Sequence, residues 1–457
     1  MRGHWEPGAL SVPGSLSGQQ TMHIRWHWLI PFLLAMTCPF PSAASSGALS
    51  ADASRAVQFV SQGDYEQARE TLRKAVAGRK DAPLHLAQLE GLILRRQGRD
   101  REAIEVFRFI LSREPNFTPA RIELSRALAS LGETDASLHQ LQVIELGSDD
   151  PEVRRQARAY GETVKSRRPY GFSGYISLLP STNLNRGSGQ RTFKVGGMEF
   201  VIDDDGRGKS GWGVGTGGNA YRTFYLDQTT RLTASGAVDI KKYGGGTDYD
   251  ELSVSTNLSL ARRFGRLEIQ AGPTMDYRLL AWEPYSFRYG GTVGVSYDLA
   301  ARTRLYSGGT FLKQDFLSAD YRDGSIFLGY AGVRHALSPS LSVGLTGNFI
   351  AERTKRADLD HNDFRLIAQV DKEWQGGFIT GLALSAGTHD YRGEFVPGFG
   401  SARHDDVWSA GVTALNRNWS FQGFAPRFSY EYTRQKSNVS FYDYDSHDID
   451  VTLTKLF

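Results

Sequence analysis

The 457-residue chain has a single cysteine, Cys38. One thiol cannot form an intrachain disulfide, so no disulfide framework staples this fold. Charge of one sign is also scarce. Lys and Arg number 53 against 50 Asp and Glu, a formal net charge of +3, without the clustered basic excess of an electrostatic nucleic-acid binder. Long apolar runs are nearly missing as well. Mean hydropathy is −0.38, so helical membrane spans are not abundant. The one long run is "WHWLIPFLLAMTCPFPSAA", which is short for a spanning helix.

That run reads as a secretory signal peptide. Arg25, flanked by His23 and His27, stands at its start, and Ser42-Ala43-Ala44 offers a small-x-small cleavage site. Residues 1–44 are accordingly assigned to an upstream extension (1–21), a start at Met22 and the signal, with mature protein beginning at Ser45. Cys38 falls inside the signal. Met36-Thr37 before it lacks the small residues of a lipobox, so the cysteine is not taken as a lipid anchor. A secreted chain whose mature part carries no thiol suits a bacterial envelope protein.

Glycine is abundant, 50 residues of 457, and aromatics make up 12%. The two halves use them differently. Within 45–168 three segments repeat: "SQGDYEQARETLRKAV", "RQGRDREAIEVFRFIL" and "SLGETDASLHQLQVIE". Their glycines, Gly63, Gly98 and Gly132, recur at the period of tetratricopeptide helix pairs. Ala68, Ala103 and Ser137 hold the small position of each repeat, and Leu72, Phe107 and Leu141 an apolar one. Each pair leaves an apolar face that its neighbour must cover, which predicts a short superhelix with a concave groove. A spacer would need no groove; docking of an extended client or chaperone would use one. A last helix near 151–166 is expected to cap the stack.

From 169 to 457 the period becomes two. "LSVSTNLSL" and "LEIQAGPTMDYRL" alternate apolar and polar residues over lengths that suit a tilted bilayer crossing. Short joins such as "RFGR", "LSPS" and "WQGG" alternate with long polar ones such as "PSTNLNRGSGQRTFKVGGMEFVIDDDGRGKS" and "ERTKRADLDHND". Short turns on one side and long loops on the other predict an antiparallel outer-membrane barrel of about fourteen strands. Trp282, Trp374, Phe378, Trp408, Trp419 and Phe421 fall at strand ends, where interfacial girdles form. Asp239, Lys241, Glu268, Asp276, Arg278, Glu352, Arg365 and Asp371 fall on the polar row as candidate lumen residues. They carry no single-sign ladder of the kind an ion-selective pore builds. The last strand, "DIDVTLTKLF", presents Ile449, Val451, Leu453 and Phe457 to lipid. Val451, Leu453 and Phe457 resemble the C-terminal signature of outer-membrane barrels, from which Lys455 departs.

The start of the barrel is the most telling stretch. "GYISLLPSTNLNRGSGQRTF" followed by "SGWGVGTGGNAY" contains Pro180, Asn183 and Asn185, then Ser210, Gly211, Trp212 and Gly213. With the helical repeats ahead of it, this resembles the surface lipoprotein assembly modifier family over almost all of the mature chain. The resemblance implies a multi-pass outer-membrane protein with a periplasmic helical domain, assisting the display or secretion of lipoproteins or related cargo proteins. It implies outer-membrane lipids, the barrel-assembly machinery, the cargo and a periplasmic chaperone as partners.

Other motifs carry less. "GVGTGG" (Gly213–Gly218) matches a dinucleotide fingerprint, but a strand pattern follows it where a helix is required. "DLDHND" has Asp363 where a calcium loop needs glycine. Asp203-Asp204-Asp205 reads as a solvated run. No G-x-S-x-G occurs, and His335, His361, His389, His404 and His447 lack metal-ligand spacing. No enzyme, cofactor or metal site is expected. Two other functions stay open. An exopolysaccharide export porin should carry more repeats and sugar-stacking aromatics in its lumen, whereas Tyr and Phe here are expected at lipid-facing or rim positions. A passive porin or receptor leaves the helical domain unexplained.

Overall fold

A computed structural model describes residues 51–455 except 149, 168, 196–197, 205, 245–247, 301, 395–401 and 420–423. The expected signal segment with Cys38, the girdle residue Phe421 and the terminal Phe457 lie outside the described residues.

Seven helices come first: α1 (Ala51–Gln62), α2 (Tyr65–Ala75), α3 (Ala82–Arg96), α4 (Asp100–Arg113), α5 (Thr118–Ser130), α6 (Thr134–Gly147) and α7 (Pro151–Arg167). The same turn closes the first helix of three pairs. Gly63, Gly98 and Gly132 take φ of +86°, +75° and +75°, a region that favours glycine. The next residue's N–H then reaches back to the carbonyl of Phe59, Leu94 or Leu128 at 2.8–2.9 Å, satisfying helix-end acceptors. Ala68, Ala103 and Ser137 are fully buried, small enough to let paired helices approach. Leu72, Phe107 and Leu141 fill three successive apolar clusters along the stack. None of the described helices is long and apolar enough to cross a membrane.

The remainder is a closed antiparallel barrel of fourteen strands. It consists of β1 (Tyr170–Leu178), β4 (Gly213–Tyr225), β5 (Thr230–Tyr243), β6 (Glu251–Phe264), β7 (Leu267–Leu280), β8 (Glu283–Ala300), β9 (Thr303–Phe316), β10 (Gly324–Ser338), β11 (Leu341–Thr354), β12 (His361–Glu373), β13 (Phe378–Glu394), β14 (Ala402–Asn416), β15 (Phe424–Ser437) and β16 (Tyr444–Lys455). Each strand pairs with its predecessor, and β1 closes on β16. Closure leaves no sheet edge, which a chain in hydrocarbon requires. On β6, Val254, Leu258, Leu260 and Phe264 point outward and exposed, while Ser253, Ser255, Asn257 and Ser259 alternate with them toward the interior. On β16, Ile449 and Leu453 are exposed outside and Ser446 and Thr452 are buried inside.

One feature departs from the sequence reading. The long first loop contains a two-stranded hairpin, β2 (Thr192–Val195) with β3 (Met198–Val201). Its Phe193 stacks on Phe200 at 5.4 Å and meets Phe441 at 5.1 Å, so aromatic contact with a distant loop gives a polar-looking segment a core. Trp282 lies between the end of β7 and the start of β8, in a two-residue turn with Ala281, both at positive φ. Its indole N–H donates to the fully buried Asp250 at 2.8 Å, which pins the turn.

Several tyrosines also face the interior, where a lipid-facing or rim position was expected. The glycines explain how. Tyr175 lies over Gly217, Tyr221 over Gly171, Tyr243 over Gly213, Tyr306 over Gly332 and Tyr330 over Gly308. In each case a Cβ on the glycine would collide with the ring. The rings therefore lie along the wall, filling the gaps that glycine leaves on the next strand, as aromatic side chains do beside strand glycines.

Candidate functional site

The interior wall is built from paired charges of both signs. Asp239, Lys241, Glu268, Asp276, Arg278, Glu352, Arg365 and Asp371 all stand on the inward row of their strands. Tyr175 Oη donates to Asp239 at 2.7 Å, Arg231 meets Glu268 at 2.6 Å, and Arg288 pairs with Asp276. Glu251 joins Arg278 at 3.0 Å and Lys241 at 3.8 Å. Glu352, 2% exposed, accepts from Gln314 Nε2 at 2.6 Å. Four of these eight, Lys241, Glu268, Asp276 and Arg278, sit in ion pairs, and charges of both signs share the row, so the wall is polar without a field of one sign.

At the short-turn end the helices are seated on the barrel. Asp298 of β8 is bracketed by Arg304 at 2.6 Å, Arg263 at 2.9 Å and, from α7, Arg158 at 3.2 Å. Arg121 of α5, 1% exposed, meets Glu373 of β12 at 2.7 Å and also donates to Gln140 and the Pro115 carbonyl. Gly147 lies against the β10–β11 turn, where a Cβ would come within 2.5 Å of Pro339 Cα. The N–H of Gly376 reaches the Ser112 carbonyl. A polar cavity of about 160 Å³ remains between α6–α7 and the inner wall, edged by Glu145, Arg158, Lys165, Arg231 and Arg304.

At the long-loop end the family-like motif ties the first loop across the junction of β1 and β16. Pro180 accepts from Ile449 N–H at 2.9 Å, and Thr182 N–H donates to the His447 carbonyl at 3.0 Å. Asn183, 4% exposed, takes the Gly187 N–H on Oδ1 and donates through Nδ2 to Gly187 and Asp445 carbonyls. Asn185 accepts from Lys209 N–H at 2.8 Å and donates to the Arg207 carbonyl at 2.7 Å, holding the two limbs of the loop together. Gly211 leaves room for Leu184, Gly213 for Tyr243, and the exposed Trp212 packs on Gly244. Sequence reasoning missed Arg186, whose guanidinium meets Asp448 at 2.7 Å from a backbone at φ +51°. Its place between Asn185 and Gly187 was the available signal, because such tight turns draw residues into positive φ.

The C-terminal row is only partly described. Val451 pairs with Leu178, and Leu453 with Ile176 and Pro426. "GVGTGG" lies in β4, so no helix N-terminus follows it to meet a phosphate. The acidic "DLDHND" segment sends its carboxylates to separate partners: Asp358 to Arg356, Asp360 to Thr354 N–H and Asp363 to His389. Among the described residues no cluster of three His, Cys, Asp or Glu is placed to hold a metal ion.

The relatives point the same way as the motif. The chain is 23% identical to "Surface lipoprotein assembly modifier 1" of Haemophilus influenzae over 83% of its own length and 79% of that protein. It is 22% identical to "Surface lipoprotein assembly modifier" of Pasteurella multocida, over 85% and 79%. Among solved structures, the outer membrane channel DcaP of Acinetobacter baumannii aligns over 62% of this chain and 96% of its own, at 9% identity and a TM-score of 0.37. The family model described as "Surface lipoprotein assembly modifier" matches residues 170–457, the whole barrel. With its closed fourteen-strand barrel, the chain therefore belongs to the surface lipoprotein assembly modifier family and is a multi-pass protein of the bacterial outer membrane.

Proposed function

We propose that this protein carries lipoprotein cargo from the periplasm to the cell surface. The helical region serves as a periplasmic, tetratricopeptide-like dock for the cargo or its chaperone. The observation that carries this reading is the seating of the helical stack over the short-turn mouth, through Arg158–Asp298 and Arg121–Glu373. Short turns face the periplasm in outer-membrane barrels, so a polypeptide held by the helices is delivered to the entrance of a polar interior. Charges of both signs, several of them paired, let segments of either sign slide past without a binding trap. The names of the relatives supply the cargo class.

A polysaccharide conduit fits less well, because the inward tyrosines lie flat over glycines instead of standing out as stacking platforms. No catalytic role is proposed. Residues 1–44 serve as extension and export signal, and the barrel-assembly machinery inserts the strands.

Deleting the gene, complementing it, and comparing protease-accessible surface lipoproteins by mass spectrometry tests the proposal. At least one lipoprotein should become protease-resistant in intact cells and return on complementation. An unchanged surface set overturns it.

A further inference from the structure

The lipid-facing surface carries different charges at its two edges. Toward the long loops the outward rows hold both signs: Lys313 and Asp315 on β9, Asp390 and Arg392 on β13, Asp406 on β14 and Lys436 on β15. In the half of each strand nearest the short turns, no carboxylate among the described residues stands on the outward row, whereas Arg222, Arg262 and Lys372 do. Asp227, at the tip of the β4–β5 turn, is occupied by the N–H groups of Thr229 and Thr230.

The three cations share one local design. β4, β6 and β12 all run toward the short turns, and an aromatic ring follows each cation two residues later: Phe224, Phe264 and, just beyond β12, Trp374. Each ring is well exposed on the outer face and stands nearer the periplasm than the backbone of its cation. The cationic heads lie over these rings, 5.2, 5.3 and 5.6 Å from the centroids. They thus reach along the wall toward the interface, as long basic side chains do at a membrane edge. Trp374 donates its indole N–H to Thr380 at 2.7 Å, which fixes the ring beside Lys372. Among the described residues no Asp or Glu forms an ion pair with any of the three.

We propose that this edge binds the phosphates of anionic phospholipids in the periplasmic leaflet, one headgroup beside each cation–ring pair. A cation at the rim of the hydrocarbon, with no carboxylate to meet it, finds its counter-charge in the headgroup layer, where the anion is the lipid phosphate. The ring beneath supplies an amphipathic surface at headgroup level, so charge and aromatic face act on one lipid. A headgroup with its own ammonium competes for the phosphate, which favours lipids of net negative charge. Bound there, the lipids hold the short-turn rim, and the helices seated on it, at one depth. The inference concerns the membrane and stands apart from the cargo reading.

The test uses the purified protein in vesicles of equimolar phosphatidylcholine and phosphatidylglycerol, with bromine carried by one lipid or the other. Tryptophan quenching then reports which lipid touches the barrel, Trp374 lying on the edge in question. Labelled phosphatidylglycerol should quench about twofold more than labelled phosphatidylcholine, a roughly fivefold preference at each cation being diluted by the rest of the surface. Molar salt should bring the two to near equality. The combined Arg222→Gln, Arg262→Gln and Lys372→Gln variant should show near equality at low salt. Removing the same charge at the other edge, by Lys313→Gln, Arg434→Gln and Lys436→Gln, should leave the preference in place. Heat-modifiable gel mobility confirms that each variant is folded. A wild-type protein without preference overturns the inference, and that measurement needs no variant. So does a preference that survives the first set of substitutions, or one that both sets abolish alike, which would reflect net charge alone. Loss of the preference on adding inorganic phosphate at constant ionic strength would assign the pairs to a free anion and overturns the lipid.

Discussion

Single residues in this barrel are read by two solvents. Leu258 and Ser259 are neighbours at the middle of β6, yet the first is 41% exposed to lipid and the second faces the interior. Leu258→Arg should cost about 2–4 kcal/mol of stability at that depth. Ser259→Arg keeps its charge among polar groups and should cost less than half as much. Unfolding in lipid by urea, followed by heat-modifiable gel mobility, compares the two; equal losses would place both residues in one environment. Glycine has an unusual task at this scale. Replacing Gly332 or Gly308 removes the recess that receives Tyr306 or Tyr330, so even alanine displaces a ring.

Among elements, the helical stack is nearly self-sufficient, because its three apolar clusters form within the helices themselves. Residues 51–167 alone should fold cooperatively, as nearest-neighbour stacking allows. Their stability should depend on pH. Arg69 grips Glu90 through two hydrogen bonds of 2.7 and 2.8 Å, which hold its carboxyl below the ordinary 4.5. A depressed carboxyl stabilises the fold at pH above its ordinary value, and that contribution disappears as pH falls through the depressed one. Thermal midpoints should therefore drop as pH falls below about 4.5, and Glu90→Gln should flatten part of that slope. The strand half behaves differently, since each strand takes its place from partners on both sides.

For the whole molecule, the question is what keeps the helices on the barrel. Glu373→Ala leaves the buried Arg121 guanidinium without its carboxylate, which typically costs about 3–5 kcal/mol. The expected outcome is undocking rather than unfolding: faster protease cleavage near residues 167–170, with barrel mobility on gels unchanged. A variant that cuts at the wild-type rate would show that the seat is held elsewhere, at Gly147–Pro339 or Arg158–Asp298.

The helical region, the strand alternation and the count of fourteen were legible in the sequence because they are short-range patterns. Period 3.6 or period 2 against a simple environment determines which side chain meets which solvent. The glycine turns at Gly63, Gly98 and Gly132 were legible for the same reason, since a single backbone angle calls for them. What the chain alone left open lies between residues far apart in it. Arg121 reaches Glu373 across 252 positions, and Asn183 reaches Asp445 across 262. The stack's seat, the tyrosines laid over glycines and the junction tied by the first loop all depend on strand register and ring closure. Those are set only when fourteen strands settle together, so the tertiary structure decided them.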